Sequence, residues 1–335
     1  MAELSIIIVN YRSHNMVFDC IQSLKKYNGS VGYEIIVADN DDLENETEVI
    51  KKHFPDLVWH NMNYNSGFAR ANNAGMQMAK GDVFLLLNPD TISIDDSISQ
   101  AYKKLVESDF IACGVQLFDE NKEPQISGNY FMKGGINHIL PIPYWGGFLR
   151  WLGYQLKTKV PNVKNAEAVQ EVDWISGAFL MVKRSAVEKA GMMDEDFFLY
   201  GEEVEWCSRL QKEGKLCIFG DLSIIHLEGA AINKDQNIAE KGYYNLYDKK
   251  GLQLMVSNHL RVRKQYGVGW FIFLLLNYTW GFFLYFICST VHRLFLLKNP
   301  AGEWSKIFSF GKNLVNLWAL SPKIISGKKH FYKLL

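Results

Sequence analysis

Residues 201–210 read GEEVEWCSRL and set Glu202, Glu203 and Glu205 close together, directly after the aromatic residues Phe197, Phe198 and Tyr200. Carboxylates in the first turn of a helix are stabilised by its dipole, by about 0.3–1 kcal/mol each. A carboxylate held ionised there, beside a bound hydroxyl, is equipped to act as a general base. His226 follows the apolar run SII and suits either a neutral imidazole ligand or a strand-end histidine. Asp90 in LLLNPDT follows a proline that removes a donor and fixes the turn. Its carboxylate points off the strand, as a hard-cation ligand or as an ordinary turn residue. Asp39 ends IIVADN, where it can accept from the hydroxyls of a nucleotide or cap a turn. NYNSGFARANNAG passes through Gly67 into a helix with Arg70 in its first turn and Asn72 and Asn73 behind it. Such an end holds a phosphate on backbone N–H groups or is a simple capping turn, and it lacks the GxGxxG and Walker patterns.

The elements that must position these groups follow from periodicity. SIIIVNY, YEIIVADN, VWHNM and VFLLLNPDT read as strands, with helices predicted between them around 16–24, over 44–53 and over 68–79. Strands that are continuous apolar runs alternating with helices predict a parallel sheet covered on both faces, with ligands beyond the carboxyl ends of the strands. The polar strand ends are Asn10 and Tyr11, Asp39 and Asn40, and Asn88 to Asp90. Residues 119–170, rich in glycine, proline and aromatics, read as a long mobile loop or an acceptor-specific insertion. VDWISGAFLMVKR is expected to be a strand, SAVEKAG a helix with a Ser185/Glu188 capping box and a Gly191 stop, and KLCIFGDLSIIHLEG two short strands closing on His226.

Length and a 48% hydrophobic content allow two domains, or one α/β domain with an appendage. Residues 257–335 carry eleven Lys/Arg against the single acid Glu303, which leaves residues 1–256 with 25 bases against 35 acids. The five cysteines (Cys20, Cys113, Cys207, Cys217 and Cys288) are scattered and show no CxxC spacing. That argues against a disulfide framework or a zinc site and fits a reducing cytosol. The start, MAELSIIIVNY, reads as a strand and not a signal peptide, so the catalytic part is expected to stay inside the cell. Residues 269–291 contain no charge and are long enough to cross ~30 Å of hydrocarbon as a helix. Asn277, Thr279, Gly281, Ser289 and Thr290 interrupt the segment, and cations flank it on both sides, so a re-entrant or in-plane helix stays open beside a span.

Taken together, SIIIVNY, VADN, NSGFARANNAG, LLLNPDT, VDWISGAFLMVKR, MDEDFFLYGEEVEWCSRLQKEG and IIHLEG, over roughly 4–230, resemble the family 2 glycosyltransferases, most closely their rhamnosyltransferase-like branch. The resemblance implies an α/β, Rossmann-like GT-A fold over 1–256, with a donor half to about 118 and an acceptor half over 119–256, followed by a hydrophobic, basic, membrane-associated helical tail over 257–335. It implies inverting transfer of one sugar from a nucleotide-diphosphate donor, for this branch dTDP-rhamnose, to an acceptor hydroxyl. A divalent cation, Mg2+ or Mn2+, would sit on the diphosphate. Asn10, Tyr11, Asp39, Asn65, Gly67, Arg70, Asn73 and Asn88 would line the donor, Asp90 and His226 would hold the metal, and Trp174, Ser176 and Gly177 would line the sugar and acceptor pocket. Asn88 stands where the family's DxD-type motif has its first acid. Glu203 falls at the catalytic base, where the family has Asp, and the extra methylene leaves Glu202 as an alternative. The acceptor implied is a polyprenyl-diphosphate-linked glycan at the cytoplasmic leaflet of the plasma membrane, with no nucleic-acid partner. Nucleotidyl transfer onto a sugar phosphate, or a membrane scaffold of this fold without catalysis, are the competing readings.

Overall fold

The computed structural model describes residues 3–27, 29, 31–41, 44–157, 161–227 and 245–335; the Glu228–Gly229 end of IIHLEG lies outside them. The described residues fall into two compact units. One is drawn from Met1–Tyr130, Asn162–Glu195 and Glu202–Asn237, the other from Phe131–Pro161, Asp196–Gly201 and Ile238–Leu335.

In chain order the strands are β1 (Leu4–Asn10), β2 (Tyr33–Asp39), β3 (Val58–Asn61), β4 (Val83–Leu87), β5 (Thr91–Ile92), β6 (Ala112–Phe118), β7 (Gly128–Asn129), β8 (Asn162–Val163), β9 (Gln170–Val172), β10 (Trp174–Ile175), β11 (Phe179–Lys183) and β12 (Leu216–His226). The helices named here are α1 (His14–Lys26), α2 (Glu44–His53), α3 (Gly67–Met78), α4 (Ser97–Glu107), α5 (Trp145–Gln155), α6 (Arg184–Ala190) and α7 (Glu202–Leu210). All the strands, and every one of these helices except α5, belong to the first unit.

The main sheet runs β3-β2-β1-β4-β11-β6-β12-β5, with β9 paired to β12. Neighbouring residues of each central strand face opposite sides, as the pleat requires. Ile6, Ile8, Val37 and Leu85 join one buried cluster, and Ile7, Ile36, Phe84 and Leu86 join another on the opposite face. The apolar runs are therefore continuous because both faces are covered.

Three sequence expectations change. The sheet is mixed and not parallel, because β11 runs antiparallel between β4 and β6. VDWISGAFLMVKR is two strands: Ser176 N donates to Ser127 O and Phe179 N to Ser176 O, which ends β10 in a small sheet with β7 and β8 and sends β11 back into the large one. KLCIFGDLSIIH is one strand, β12, whose register on β6 shifts between Phe219 and Ser223. A bulge there absorbs the Gly220–Asp221 punctuation without ending the strand. The Ser185/Glu188 capping box is also absent: the cap position of α6 is Lys183, with no side-chain cap hydrogen bond, while Gly191 ends the helix at φ 77° as expected.

The second unit packs three helices, Lys249–Tyr266, Val268–Phe295 and Trp304–Ser326, around a core that includes Met255, Phe271, Leu274, Tyr278, Phe310 and Leu317. The expected boundary between 256 and 257 falls inside the first of these helices, so it is not a domain boundary. Nor are residues 119–170 wholly loop, since Lys133–Ile139 forms a 3-10 turn, Trp145–Gln155 forms α5, and 131–161 belong to the helical unit. Gly134 explains one of the glycines that suggested a loop: its φ is +69°, and a Cβ there would overlap the Trp270 ring.

Candidate active site

β1, β2, β4, β6 and β12 run in one direction, so their carboxyl ends share an edge of the sheet, and antiparallel β11 begins at that edge. Asn10, Asp39, the Asn88–Asp90 turn, His226 and the Ser176–Gly177 turn therefore lie along one line of strand ends.

Asp90 and His226, distant in sequence, meet there. β5 pairs antiparallel with β12 so that Thr91 faces His226, and Leu227 N donates to Asp90 O. The turn is braced by Thr91, whose N and Oγ1 both donate to Asn88 O. His226 Nε2 lies 3.5 Å from Asp90 Oδ1, with both side chains nearly buried. This Nε2 is buried and makes no hydrogen bond. The other ring nitrogen faces Gln125 Oε1 at 2.8 Å, while Gln125 Nε2 donates to His226 O at 3.0 Å. The second contact fixes the orientation of the amide, so its oxygen faces Nδ1 and Nδ1 must carry the proton. In the neutral ring Nε2 is then the acceptor nitrogen, and beside the Asp90 carboxylate it makes a donor set that a divalent cation takes. Among the described residues no group of three or more His, Cys, Asp and Glu could hold a metal, so a cation here would take further ligands from what it binds.

Glu203 reaches the same edge from α7. A Cβ on Gly177 would stand 3.6 Å from Glu203 Cγ and 3.7 Å from Phe68 Cε1, so α3, the Ser176–Gly177 turn and α7 converge. Ala178 O in turn accepts from Asn88 N, which links this convergence to the Asn88–Asp90 turn. Glu202, Glu203 and Glu205 are all buried, but they are not equivalent. Glu205 takes Arg209 Nε and Nη2, each at 2.9 Å, and Arg209 also donates to Ala190 O and Met192 O. Part of the acidic cluster is thus a structural ion pair tying α7 to the end of α6.

The other expected donor residues divide into two sets. Asp39 is 1% exposed, and its oxygens accept from Asn10 Nδ2 (2.7 Å), Asp41 N (3.1 Å), Trp59 Nε1 (3.1 Å) and Thr47 Oγ1 (3.4 Å). These four donors fix the Asp39 carboxylate at the carboxyl end of β2. Asn10 is likewise fixed, with Ser13 N and Oγ donating to its Oδ1, which starts α1. Asn73 is fixed too: its Nδ2 donates to Met193 O and its Oδ1 accepts from Met193 N. It fastens the chain ahead of α7 to α3. Arg70 Nε donates to Glu195 O on the same chain. Asn65 Oδ1 accepts from Gly67 N, while Asn40, the other polar residue at the end of β2, clamps the same turn through Ser66 N, Ser66 Oγ and Gly67 O. Tyr11 is exposed at the end of β1, and Trp174 sits in β10 opposite Asn129.

Neither nearby thiol is a nucleophile. Burial pushes Cys20, which packs on the Asn88–Thr91 turn, up to about 12, and burial does the same to Cys207 on α7.

The sequence profile of Glycosyl transferase family 2 matches residues 5–166. The low-salt glycan biosynthesis hexosyltransferase Agl10 of Haloferax volcanii is 26% identical over 220 residues, 63% of this chain and 62% of its own length. Rhamnosyltransferase WbbL of Escherichia coli is 26% identical over 216 residues, 62% of this chain and 77% of its own. The N-acetylglucosaminyl-diphospho-decaprenol L-rhamnosyltransferase of Mycobacterium tuberculosis is 29% identical over 105 residues, 31% of this chain and 32% of its own. The chain thus spans less than two thirds of the Haloferax and mycobacterial relatives. Among solved structures, the mannosyltransferase PcManGT of Pyrobaculum calidifontis, in complex with GDP-Man and Mn2+, superposes with a TM-score of 0.52 at 12% identity, over 96% of this chain and 87% of its own. GalNAc-T7 with UDP, GalNAc and Mn2+ gives 0.50 at 15% identity, over 79% of this chain and 51% of its own. At such identities the likeness concerns the fold, which is mixed α/β and GT-A-like. Through the profile match over 5–166, its relatives and that fold, the chain is similar to glycosyl transferase family 2 and, within it, to the rhamnosyltransferases.

Proposed function

We propose that the protein transfers one sugar, with inversion, from a nucleotide-diphosphate sugar to a hydroxyl of a polyprenyl-diphosphate-linked glycan. The observation that carries this reading is the meeting of Asp90 with the bare Nε2 of His226 on the sheet edge that also holds Gly177 and Glu203. Asp90 and His226 would hold a divalent cation, Mg2+ or Mn2+, which would supply positive charge at the leaving diphosphate. Glu203 takes the proton of the acceptor hydroxyl as its oxygen attacks the anomeric carbon; the bond from that carbon to the diphosphate oxygen breaks, and its electron pair leaves with the nucleoside diphosphate. Glu202, one position earlier on α7, is the alternative base. Asn10, Tyr11, Asp39, Asn65, Gly67, Arg70, Asn73 and Asn88 line the donor. Trp174, Ser176 and Gly177 line the sugar and acceptor.

The rhamnosyltransferase relatives favour dTDP-rhamnose as donor, the mycobacterial relative's name favours a polyprenyl-linked acceptor, and the Mn2+ in both solved neighbours favours the cation. The apolar helix Val268–Phe295 and the basic residues around it support attachment to the cytoplasmic leaflet. A panel of nucleotide sugars, with and without Mg2+ or Mn2+, scored for release of nucleoside diphosphate, tests the proposal. Cation-dependent release from one donor is expected. Release of pyrophosphate from a nucleoside triphosphate and a sugar phosphate would instead identify a nucleotidyltransferase, and no turnover of any donor would identify a scaffold.

A further inference from the structure

The helix Val268–Phe295 has two unlike faces. Phe271, Leu274, Leu275, Tyr278, Gly281, Tyr285 and Ser289 are buried within its own unit, while Ile272, Phe273, Leu276, Trp280, Phe283, Ile287, Val291 and Leu294 form an exposed stripe at helical spacing. Three of the polar residues that interrupt the segment in sequence are taken up by neighbouring tryptophans, and Ser289 is buried. Asn277 Oδ1 accepts from Trp145 Nε1, Thr279 Oγ1 from Trp318 Nε1 and Thr290 Oγ1 from Trp304 Nε1. Gly281 lets Ile142 approach so closely that a Cβ would stand 2.5 Å from its Cγ2. What remains exposed between 272 and 291 is apolar.

That stripe continues sideways onto two other helices of the unit. Exposed Trp318 reaches it through Thr279, exposed Phe308 lies 6.5 Å from Phe286, and on the other flank Trp145 stacks on exposed Phe148, which lies 5.9 Å from exposed Trp151. Exposed cations stand among these residues. Lys312 lies between Phe308 and Val315, one helical turn from each, and Lys306 and Lys323 lie toward the two ends of the same helix.

We infer that this unit is set into one anionic leaflet, with Val268–Phe295 lying in the plane of the membrane and not crossing it. This rests on the membrane attachment proposed above and goes further in fixing its geometry. A lone crossing helix meets lipid around its whole circumference, but this one is backed by Lys249–Tyr266, which carries Arg261, Arg263 and Lys264, and by the lysine-bearing helix Trp304–Ser326, whose charges are costly inside a bilayer. A plate with one apolar side matches a half-bilayer, where the lysines and tryptophans stand at headgroup level. The cations at both ends of the segment then lie on the same side of the membrane, as the positive-inside rule asks. Eleven Lys/Arg against one acid over 257–335 also disfavour burial of this face against a second copy of itself and favour anionic headgroups.

The test uses the full chain with Cys288→Ser and single cysteines at Ile272, Leu276, Trp280, Phe283, Ile287 or Val291, each spin-labelled and bound to phosphatidylcholine vesicles containing phosphatidylglycerol. Depth is read by collision with oxygen against a water-soluble relaxant. All six labels are expected at a similar shallow depth, and vesicle binding should fall at least tenfold without phosphatidylglycerol. A depth that rises to a maximum near Trp280 and falls toward both ends would show a span and overturn the in-plane geometry alone. Failure to bind vesicles, or labels shielded from both relaxants by a second copy, would overturn the membrane attachment together with the inference.

Discussion

At the residue scale the decisive feature is an amide that chooses a tautomer. Gln125 sits just beyond β6 and reads nothing from a substrate, yet its two contacts with His226 leave Nε2 free to bind a cation. Loss of such an outer partner typically costs 10–100-fold in metal affinity. Gln125→Ala is therefore expected to weaken Mn2+ binding, followed by loss of the free-ion paramagnetic resonance signal, by about that factor, while binding of nucleotide without metal stays unchanged. Unaltered Mn2+ affinity would show that the tautomer is set otherwise. Nothing in the sequence marked Gln125, because it lies in a polar turn 101 residues from its partner. Asp39 shows the opposite case. Its position at a strand end was legible, but the partners that fix it were not, since Trp59 and Thr47, which donate to its oxygens, come from separate elements.

At the scale of elements, the apolar runs and helical spacings located β1 to β4, α1 to α3 and α7, because each buries a periodic face locally. The reversal of β11 and the bulge in β12 were not legible, since they depend on partners elsewhere in the chain, Ser127 for the first and β6 for the second. The GEEVEW helix was read correctly as a helix, but Glu205 proved to serve Arg209, which narrows the candidates for a base to Glu202 and Glu203. In the helical unit, burial holds His259 down at about 4, and burial with the neighbouring Arg261 holds His138 well below its usual range. The unfolded chain protonates these groups near 6.5, so the stability they contribute is complete above that pH and is lost as pH falls toward 4. Amide exchange within Lys249–Tyr266, corrected for intrinsic rates, should accelerate between pH 7 and 5 in the parent, and less so in His259→Phe. Equal acceleration in both would remove His259 as the cause.

At the scale of the whole molecule, charge is divided between the acidic bulk of the chain and its basic end, and most of the exposed large apolar side chains lie in the helical unit. Lys306, Lys312 and Lys323 are all exposed on a helix that packs along Val268–Phe295. Each would cost about 2.5–3.5 kcal/mol at the centre of a bilayer, which outweighs what the apolar stripe alone requires and sets the unit at the interface. The apolar helix was legible from an uncharged 23-residue run, but its two unlike faces were not, because only the folded unit shows Asn277, Thr279 and Thr290 bonded to tryptophans of neighbouring helices. A molecule placed there acts as a transferase only if its cation site and its base serve one reaction. The most direct test measures Mn2+-dependent nucleotide binding and transfer rate side by side for the parent, Asp90→Ala and Glu203→Gln. Glu203→Gln should keep Mn2+–nucleotide binding and lose about 10²–10⁴-fold in rate, whereas Asp90→Ala should lose both. Transfer within a few-fold of the parent in Glu203→Gln, or undiminished Mn2+ binding in Asp90→Ala, would contradict the account.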